Sequence, residues 1–131
     1  MSDAESLDSI YYTVFPNFHP WGAYQRIVYR FRPNGDDHNT SIMDVYLLAP
    51  FTGPRPPAAK VQWLTPEQTW IDATVLGSSA RVFDQDAYNM PKVHRGLKTT
   101  TQKYLPMAAY QELKIRHMHH LLAKWVGEEV D

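Results

Sequence analysis

Residues 24–32 read YQRIVYRFR, and this stretch decides the fold class because its side chains alternate between two faces. In an extended chain, one face would carry Gln25, Ile27, Tyr29 and Phe31, and the other Tyr24, Arg26, Val28, Arg30 and Arg32. One face is mainly apolar and the other carries the arginines. This pattern is typical of a half-buried antiparallel strand.

Similar stretches flank this strand. Residues 8–15 (DSIYYTVF) and 40–48 (TSIMDVYLL) are rich in Tyr, Val, Ile, Phe and Thr, and the turn sequences PNFHPWG and PNGDDHN separate the three stretches. The sequence therefore predicts three strands. Residues 49–59 (APFTGPRPPAA) contain four prolines and predict a surface loop. The pattern of residues 61–64 and 69–76 leaves a fourth strand and the approach to a helix equally open.

The second half of the chain predicts two helices. The first begins near Ser78 or Ser79, either of which can cap a helix, and runs toward Gly96 with a kink at Pro91. The second covers residues 107–126 and has a broad apolar stripe, which we expect to lie across the sheet. The fold class is therefore α+β, an antiparallel sheet with a long C-terminal helix.

Composition excludes several classes of protein. The 131 residues suit one domain, and a net charge of −1 is too small for binding a phosphate backbone or an anionic membrane. The absence of cysteine excludes disulfides, zinc ribbons, thiolate nucleophiles and a self-contained iron–sulfur cluster. The acidic start MSDAESLDS and the lack of a long apolar stretch predict a soluble cytoplasmic protein that binds neither nucleic acid nor membrane.

Asp86 is the residue most suggestive of chemistry. On a helical wheel at about 100° per residue, it lies in the middle of an apolar stripe formed by Val82, Phe83, Met90, Val93 and Leu97. Asp84 lies about 160° away and is expected to pair with Arg81 as an ordinary surface carboxylate.

An ionised carboxylate on a buried apolar face costs several kcal/mol unless a cation, a metal ion or several donors compensate it. Asp86 is therefore either a structural carboxylate, held by Asn89, backbone amides or an arginine, or a metal ligand or catalytic group. An Asp86 exposed to solvent, or neutralised by a guanidinium group, would remove this argument.

The histidines give weaker signals. His117 and His119 lie about 200° apart on a helix and cannot share a metal ion, so only His117 with His120 has suitable spacing. Packing and surface roles suit these residues better. His19 and Trp21 lie in a turn with two prolines, where turn packing competes with a role at the mouth of a pocket. His94 lies toward the Asp86 side of its predicted helix.

Four stretches together resemble a known family. They are VFDQDAYNMPKVHRGLKT (82–99), YYTVFPNFHPWG (11–22), DVYLLAPFTGPRPPA (44–58) and YQELKIRHMHHLLAKWV (110–126). The QD-x-x-N motif followed by Gly-Leu, in order with the PNFHPW turn and the IRH helix, is similar to the C-terminal half of the catalytic domain of Rieske-type aromatic ring-hydroxylating oxygenase large (alpha) subunits. The resemblance covers nearly the whole chain.

This resemblance implies a helix-grip, START-like catalytic domain around an apolar pocket, with a mononuclear Fe(II) held by two histidines and one aspartate. Asp86 matches that aspartate, and Asn89 would orient it. Tyr12, Phe15, Phe18, His19 and Trp21 would lie in or near the substrate pocket. In the full-length enzyme, electrons from NAD(P)H would pass through a ferredoxin or reductase to a Rieske 2Fe-2S cluster and then to iron, for insertion of O₂ into an aromatic ring in the catabolism of aromatic hydrocarbons. The full-length protein would be a homo-oligomer or an alpha/beta hetero-oligomer.

The chain also departs from the family pattern. It has no cysteine, and no pair of histidines with four residues between them precedes the predicted sheet. We therefore expect residues 1–131 to be a C-terminal fragment of the catalytic domain that lacks the Rieske domain and the iron histidines, and to be inactive alone. Two alternatives remain open, namely a small helix-grip module that binds an apolar ligand without metal and a subunit that completes a sheet with a separate chain.

Overall fold

The structure is a computed structural model that describes residues 2–7, 10–22 and 26–128. The chain divides into two compact units, one formed by Met1–Pro50 with Pro106–Asp131 and the other by Phe51–Leu105. The first unit contains helix α1 (Asp3–Leu7), strands β1 (Phe18–Pro20), β2 (Ile27–Pro33) and β3 (Ser41–Leu47), and helix α3 (Leu113–Val126). The second contains two 3₁₀ helices (Trp70–Asp72 and Thr74–Leu76) and helix α2 (Ser79–Thr99).

The sheet has three antiparallel strands in the order β1-β2-β3. Tyr29 lies opposite His19 on β1 and Val45 on β3, whereas Arg30 lies opposite Phe18 and Asp44. Side chains directly opposite each other share a face of the sheet. The predicted faces of β2 are therefore confirmed for residues 27–32, although Ile27 and Val28, from opposite faces, are both buried. The predicted α+β class with an antiparallel sheet is confirmed as well. Residues 24 and 25 of the predicted strand lie outside the described residues.

The first predicted strand is wrong. In the described part of residues 8–15, only two isolated bridges form, Tyr11 with Trp21 and Val14 with Phe18. The short strand β1 lies instead in the stretch that was predicted to be a turn. The chain reverses at residues 15–17, where the Phe15–Pro16 peptide bond is cis. The side chains of residues 10–15 favour a strand, but after the chain reversal these residues form only single β-bridges with the residues that follow.

The segment between the sheet and α2 carries no strand. Residues 51–63 are exposed and lack regular structure, so the predicted proline-rich loop is confirmed. The open question over residues 61–76 is resolved in favour of an approach to a helix, since both regular elements there are 3₁₀ helices. Ala73 and Leu76, from these turns, are buried in the core of the second unit with Ala80 and Phe83 of α2.

Helix α2 begins after Ser78, as predicted, and continues through Pro91 to Thr99. Ser78 occupies the capping position, although its side chain makes no capping hydrogen bond. Helix α3 begins at Leu113, six residues later than predicted. No residue of α3 is buried, so the expectation that its apolar stripe is buried across the sheet is wrong for the described residues. The stripe contacts residues 10–15 instead and stays largely exposed.

Candidate functional site

One face of α2 carries the predicted metal ligand. It borders an open hollow of about 500 Å³, lined by Asp86, Asn89, Met90, Val93, His94 and Leu97. The wheel thus placed these side chains on a common face correctly. Met90, Val93 and Leu97 are 44%, 59% and 46% exposed, respectively. The Asp86 face, as we name these six residues, is therefore an apolar surface with one carboxylate, one amide and one imidazole.

Asp86 itself is exposed and makes no hydrogen bond or ion pair with any residue that the structure describes. The expectation that it is buried and must have a compensating partner is wrong. The desolvation that would have required a cation or metal ion does not occur here. The assignment of Asp86 as a ligand therefore depends on its place in the QD-x-x-N motif and not on burial.

The buried side of α2 lies at one edge of the apolar stripe and not at its centre, since Phe83 is the one stripe residue that is buried. Ala80 and Phe83 are buried and Asp84 and Ala87 half-buried. These four lie roughly 60° to 160° around the helix from Asp86, at about 100° per residue. Phe83 packs on Trp70 with ring centroids 5.4 Å apart. The spacing of residues 80, 83, 84 and 87 follows an ordinary helical i, i+3, i+4, i+7 pattern, but its alanines and aspartate made it a weak signal beside the larger stripe.

Asp84 has a structural role that sequence reasoning missed. Its Oδ1 accepts a hydrogen bond of 2.6 Å from the backbone N–H of Trp70, which ties α2 to the first 3₁₀ helix. The predicted ion pair with Arg81 is absent from the described part of the chain. The two aspartates are inequivalent, as predicted, but Asp84 is the one that the fold uses.

Asn89 lies one turn after Asp86 and lines the same hollow, without a hydrogen bond between the two side chains. In residues 2–7, 10–22 and 26–128, no group of three His, Asp or Glu side chains is close enough to hold a metal ion. The described donors therefore do not fit a complete Fe(II) site of two histidines and one carboxylate. Asp86 would be one ligand among others.

The structure divides the five residues predicted to lie in or near the substrate pocket into three groups: His19 and Trp21, which both pack on Tyr29; Phe18; and Tyr12 with Phe15. His19 stacks on Tyr29 at 5.2 Å and meets the edge of Phe31 at 5.7 Å, and partial burial lowers the pKa of its imidazole. Trp21 packs edge-to-face on Tyr11 at 4.4 Å. Burial favours the neutral form of His19, which suits the aromatic packing that competed with a pocket role.

Phe18 lies on the opposite face of the sheet, across from Arg30, and is 39% exposed. Tyr12 lines a described pocket, and so does Phe15. Its ring meets the edge of Trp125 at 5.5 Å, which connects the N-terminal segment to α3.

That pocket is an apolar groove of about 590 Å³ within the first unit. One wall is formed by residues 10–13 and Phe15, and the other by one face of α3, with Leu113, Lys114, His117, Met118 and Leu121. We call it the α3 groove. Lys114 Nζ donates a hydrogen bond of 3.3 Å to the backbone carbonyl of Tyr11 across it. The sequence predicted an apolar stripe on this helix but gave Lys114 no role.

Comparison with protein families identifies the class. Residues 1–128 match the family described as ring hydroxylating alpha subunit (catalytic domain). The chain therefore belongs to this family, and the resemblance inferred from its motifs is confirmed. No curated protein and no solved structure matches the chain. Family membership supports a place in the terminal oxygenase and suggests iron-dependent catalysis. None of the helices in the described residues has the length and apolar character that a membrane span needs.

Proposed function

We propose that this chain is the C-terminal part of the catalytic domain in the large subunit of a Rieske-type aromatic ring-hydroxylating dioxygenase. The complete enzyme would be the terminal oxygenase component that inserts O₂ into an aromatic substrate at a mononuclear non-haem iron. The observation that carries the proposal is the family match over residues 1–128. The order of the QD-x-x-N motif, the PNFHPW turn and the α3 helix supports it.

Asp86 is the proposed anionic ligand of the iron. Three features support this role: its position in the motif, its lack of any partner among the described residues, and its apolar neighbours Met90 and Val93. A carboxylate without an arginine or lysine partner is available to coordinate a divalent cation. Asn89, on the next turn of the same face, would orient the carboxylate once the metal is bound.

One carboxylate does not hold Fe(II) usefully, so the remaining ligands must come from elsewhere. In this proposal the two iron histidines and the Rieske 2Fe-2S cluster belong to the full-length protein, and residues 1–131 alone are inactive. The partners would be a ferredoxin or reductase, an aromatic substrate and O₂. The assembled enzyme would be a cytoplasmic homo-oligomer or alpha/beta hetero-oligomer.

The ligand role of Asp86 is tested in an assembled large subunit that contains this segment. Asp86→Asn should lower the bound iron, measured by elemental analysis, by more than about tenfold. The matched control is Asp84→Asn two residues away, which keeps an acceptor for the Trp70 N–H and should retain iron. Full iron content in the Asp86 variant would exclude the assignment.

The fragment proposal has its own tests. The nucleotide sequence directly upstream of Met1 should contain in-frame Cys and His motifs for the Rieske cluster and the iron. Purified residues 1–131 with a reductase, NADH and an aromatic substrate should give no product. Turnover by this chain alone would contradict the proposal.

A second candidate function is a module that binds an apolar ligand without metal. The α3 groove favours it, because a groove of about 590 Å³ with mainly apolar walls lies within one unit and needs no further chain to form. Ligand pockets in proteins usually measure roughly 300 to 1,000 Å³. Binding by the isolated chain in the absence of iron would separate this function from the first.

A further inference from the structure

We propose that Asn34 is a site of spontaneous chemical modification, at which the backbone nitrogen of Gly35 displaces the side-chain amide and an aspartate or isoaspartate is left in the turn between β2 and β3. The co-reactant is water, and the released product is ammonia. The proposal does not depend on iron, on Asp86 or on either candidate function.

The turn between β2 and β3 exposes both reacting groups. Residues 33–40 are all exposed, and the strand pairing ends where Pro33 lies opposite Ser41. Gly35 has a φ of +60°, which glycine adopts without strain, and a Cβ built at this position would meet no heavy atom within 4 Å. Gly35 therefore has no side chain that would crowd the attack of its nitrogen on Asn34 Cγ.

The backbone N–H of Gly35 makes no hydrogen bond with any residue that the structure describes. This nitrogen can therefore lose its proton and turn toward the Asn34 side chain without breaking a bond of the fold. The Asn34 amide has one hydrogen bond, which its Nδ2 donates to Thr40 Oγ1 at 3.1 Å. Because that bond is exposed, water can replace it when the amide turns toward Gly35.

Asn39 is the internal comparison, because it lies in the same exposed turn. Its Nδ2 donates to Asp37 Oδ1 at 3.1 Å, and the N–H that follows it, on Thr40, donates to the Asp37 carbonyl at 3.2 Å. Asp37 thus holds both groups that would have to react. The β-branched side chain of Thr40 also crowds the attacking nitrogen.

The other two asparagines of the chain also precede N–H groups that the fold uses. Asn17 is followed by Phe18, whose N–H donates to the Val14 carbonyl at 3.0 Å. Asn89 and the residue after it lie inside α2, where backbone N–H groups donate to carbonyls one turn earlier. Among the four asparagines, all of which the structure describes, Asn34 alone precedes an N–H without an acceptor in the described chain.

The reaction balances with water alone. Attack of Gly35 N on Asn34 Cγ forms a C–N bond and closes a succinimide ring, while the bond from Cγ to Nδ2 breaks and ammonia leaves with the proton of the Gly35 N–H. Water then opens the ring at one of its two carbonyls. Opening at Cγ gives aspartate, and opening at the backbone carbonyl gives isoaspartate, so either product adds one negative charge to the turn.

The experiment incubates the whole 131-residue chain in neutral buffer at physiological temperature and follows each asparagine by peptide mapping with mass spectrometry. Isoaspartate is measured separately, as methyl transfer from labelled S-adenosylmethionine by a purified protein-isoaspartate methyltransferase. We expect Asn34 to react at least about tenfold faster than Asn39, because glycine leaves the attack unhindered and threonine does not.

A second sample, unfolded in urea, tests the contribution of the native turn. Its rate at Asn34 should lie within about threefold of the native rate, because the exposed turn withholds neither reacting group. Asn34→Gln should remove most of the methyl transfer, and Asn39→Gln, in the same turn, should leave it unchanged. Gly35→Ala should slow the reaction at Asn34 by about tenfold or more in both the native and the unfolded samples.

Three results would overturn the proposal. Equal rates at Asn34 and Asn39 would show that neither the glycine nor the unbonded N–H matters. An acceleration of Asn34 by more than about tenfold in urea would show that the native turn protects it. An Asn34 that keeps its amide after prolonged incubation of the native chain would exclude the site directly.

Discussion

Asp44 on the sheet and Asp86 on α2 are carboxylates in opposite surroundings. Asp44 Oδ2 accepts from Arg32 Nε at 2.7 Å and from Arg30 Nη2 at 2.8 Å, and its Oδ1 accepts from Arg32 Nη2 at 3.2 Å. Asp86 has no such partner in the described residues. The comparison shows that the partners of a carboxylate depend on which side chains the fold brings beside it: Asp44 faces two arginines, whereas no described residue pairs with Asp86.

Asp84 stands between these extremes. It is half-buried and accepts one backbone hydrogen bond, from Trp70. The three aspartates thus form a series. Asp44 has two charged partners, Asp84 has one neutral partner, and Asp86 has none among the described residues. If this series is correct, removal of each side chain should affect the stability of the chain in the same order.

Asp44→Ala should have the largest effect. It would leave the Arg30 and Arg32 guanidinium groups close together without their shared carboxylate, and hydrogen bonds to charged groups are worth about 1.5 to 3 kcal/mol. Because solvent screens the pair partly, we expect a loss of about 1 to 2 kcal/mol in the free energy of unfolding. Urea denaturation followed by circular dichroism measures it. An unchanged denaturation midpoint would mean that the Asp44 carboxylate contributes as little to stability as we expect of Asp86.

The same carboxylate should give stability a dependence on acid pH. Hydrogen bonds from Arg32 and then Arg30 hold the pKa of Asp44 below its usual range. Its contribution should be complete above the unfolded pKa of about 3.9 and should be lost as the pH falls through the lower folded value. Denaturation midpoints between neutral pH and strong acid should therefore fall less steeply in Asp44→Asn than in the unmodified chain.

Asp84→Ala should cost about 1 kcal/mol, because it leaves the half-buried N–H of Trp70 without its acceptor. Asp84→Asn, which keeps an oxygen at the same place, should recover most of this loss. The measurement is the denaturation midpoint by fluorescence of the tryptophans, which include Trp70 on the turn that this bond holds. A stable Asp84→Ala variant would mean that the other contacts of the turn, the packing of Phe83 on Trp70 and the hydrogen bond from the Thr69 N–H to Asp72, are sufficient to hold it.

Asp86→Ala should have the smallest effect, within about 0.5 kcal/mol, as for other exposed positions without partners. Val93→Ser, on the same face and 59% exposed, should be equally neutral. A large loss of thermal stability in either variant would show that the Asp86 face is covered in solution. That result would contradict the contrast between an exposed Asp86 and a paired Asp44.

Much of the local structure could be predicted from residue patterns. The period-two alternation of residues 27–32 gave the correct faces of β2, and Ser78 marked the beginning of α2. The four prolines of residues 49–59 gave the exposed loop. Each of these depends on neighbours in the chain, such as the pleat of a strand, the first turn of a helix or the fixed φ of proline.

Burial could not be predicted in the same way. Met90, Val93 and Leu97 of the stripe around Asp86 stay exposed, whereas Phe83 at the edge of the stripe is buried together with Ala80, Ala73 and Leu76. A helical wheel shows which side chains share a face of the helix and how polar that face is, but it contains no information about which neighbouring element covers the face. Residues 10–15 show the same limit of sequence patterns. Their side chains favour a strand, but no described strand pairs with them along their length.

The sequence by itself determined the family, the α+β class, the alternation of β2 and the common face that Asp86 shares with Asn89, Met90 and Val93. Tertiary structure alone decided that Asp44 pairs with two arginines, that Asp84 holds Trp70, that Asp86 has no partner among the described residues and that α3 forms a groove with residues 10–15. The physical reason is that periodicity fixes the direction of a side chain relative to its own element. Its electrostatic partners and its burial depend on contacts between residues far apart in the chain.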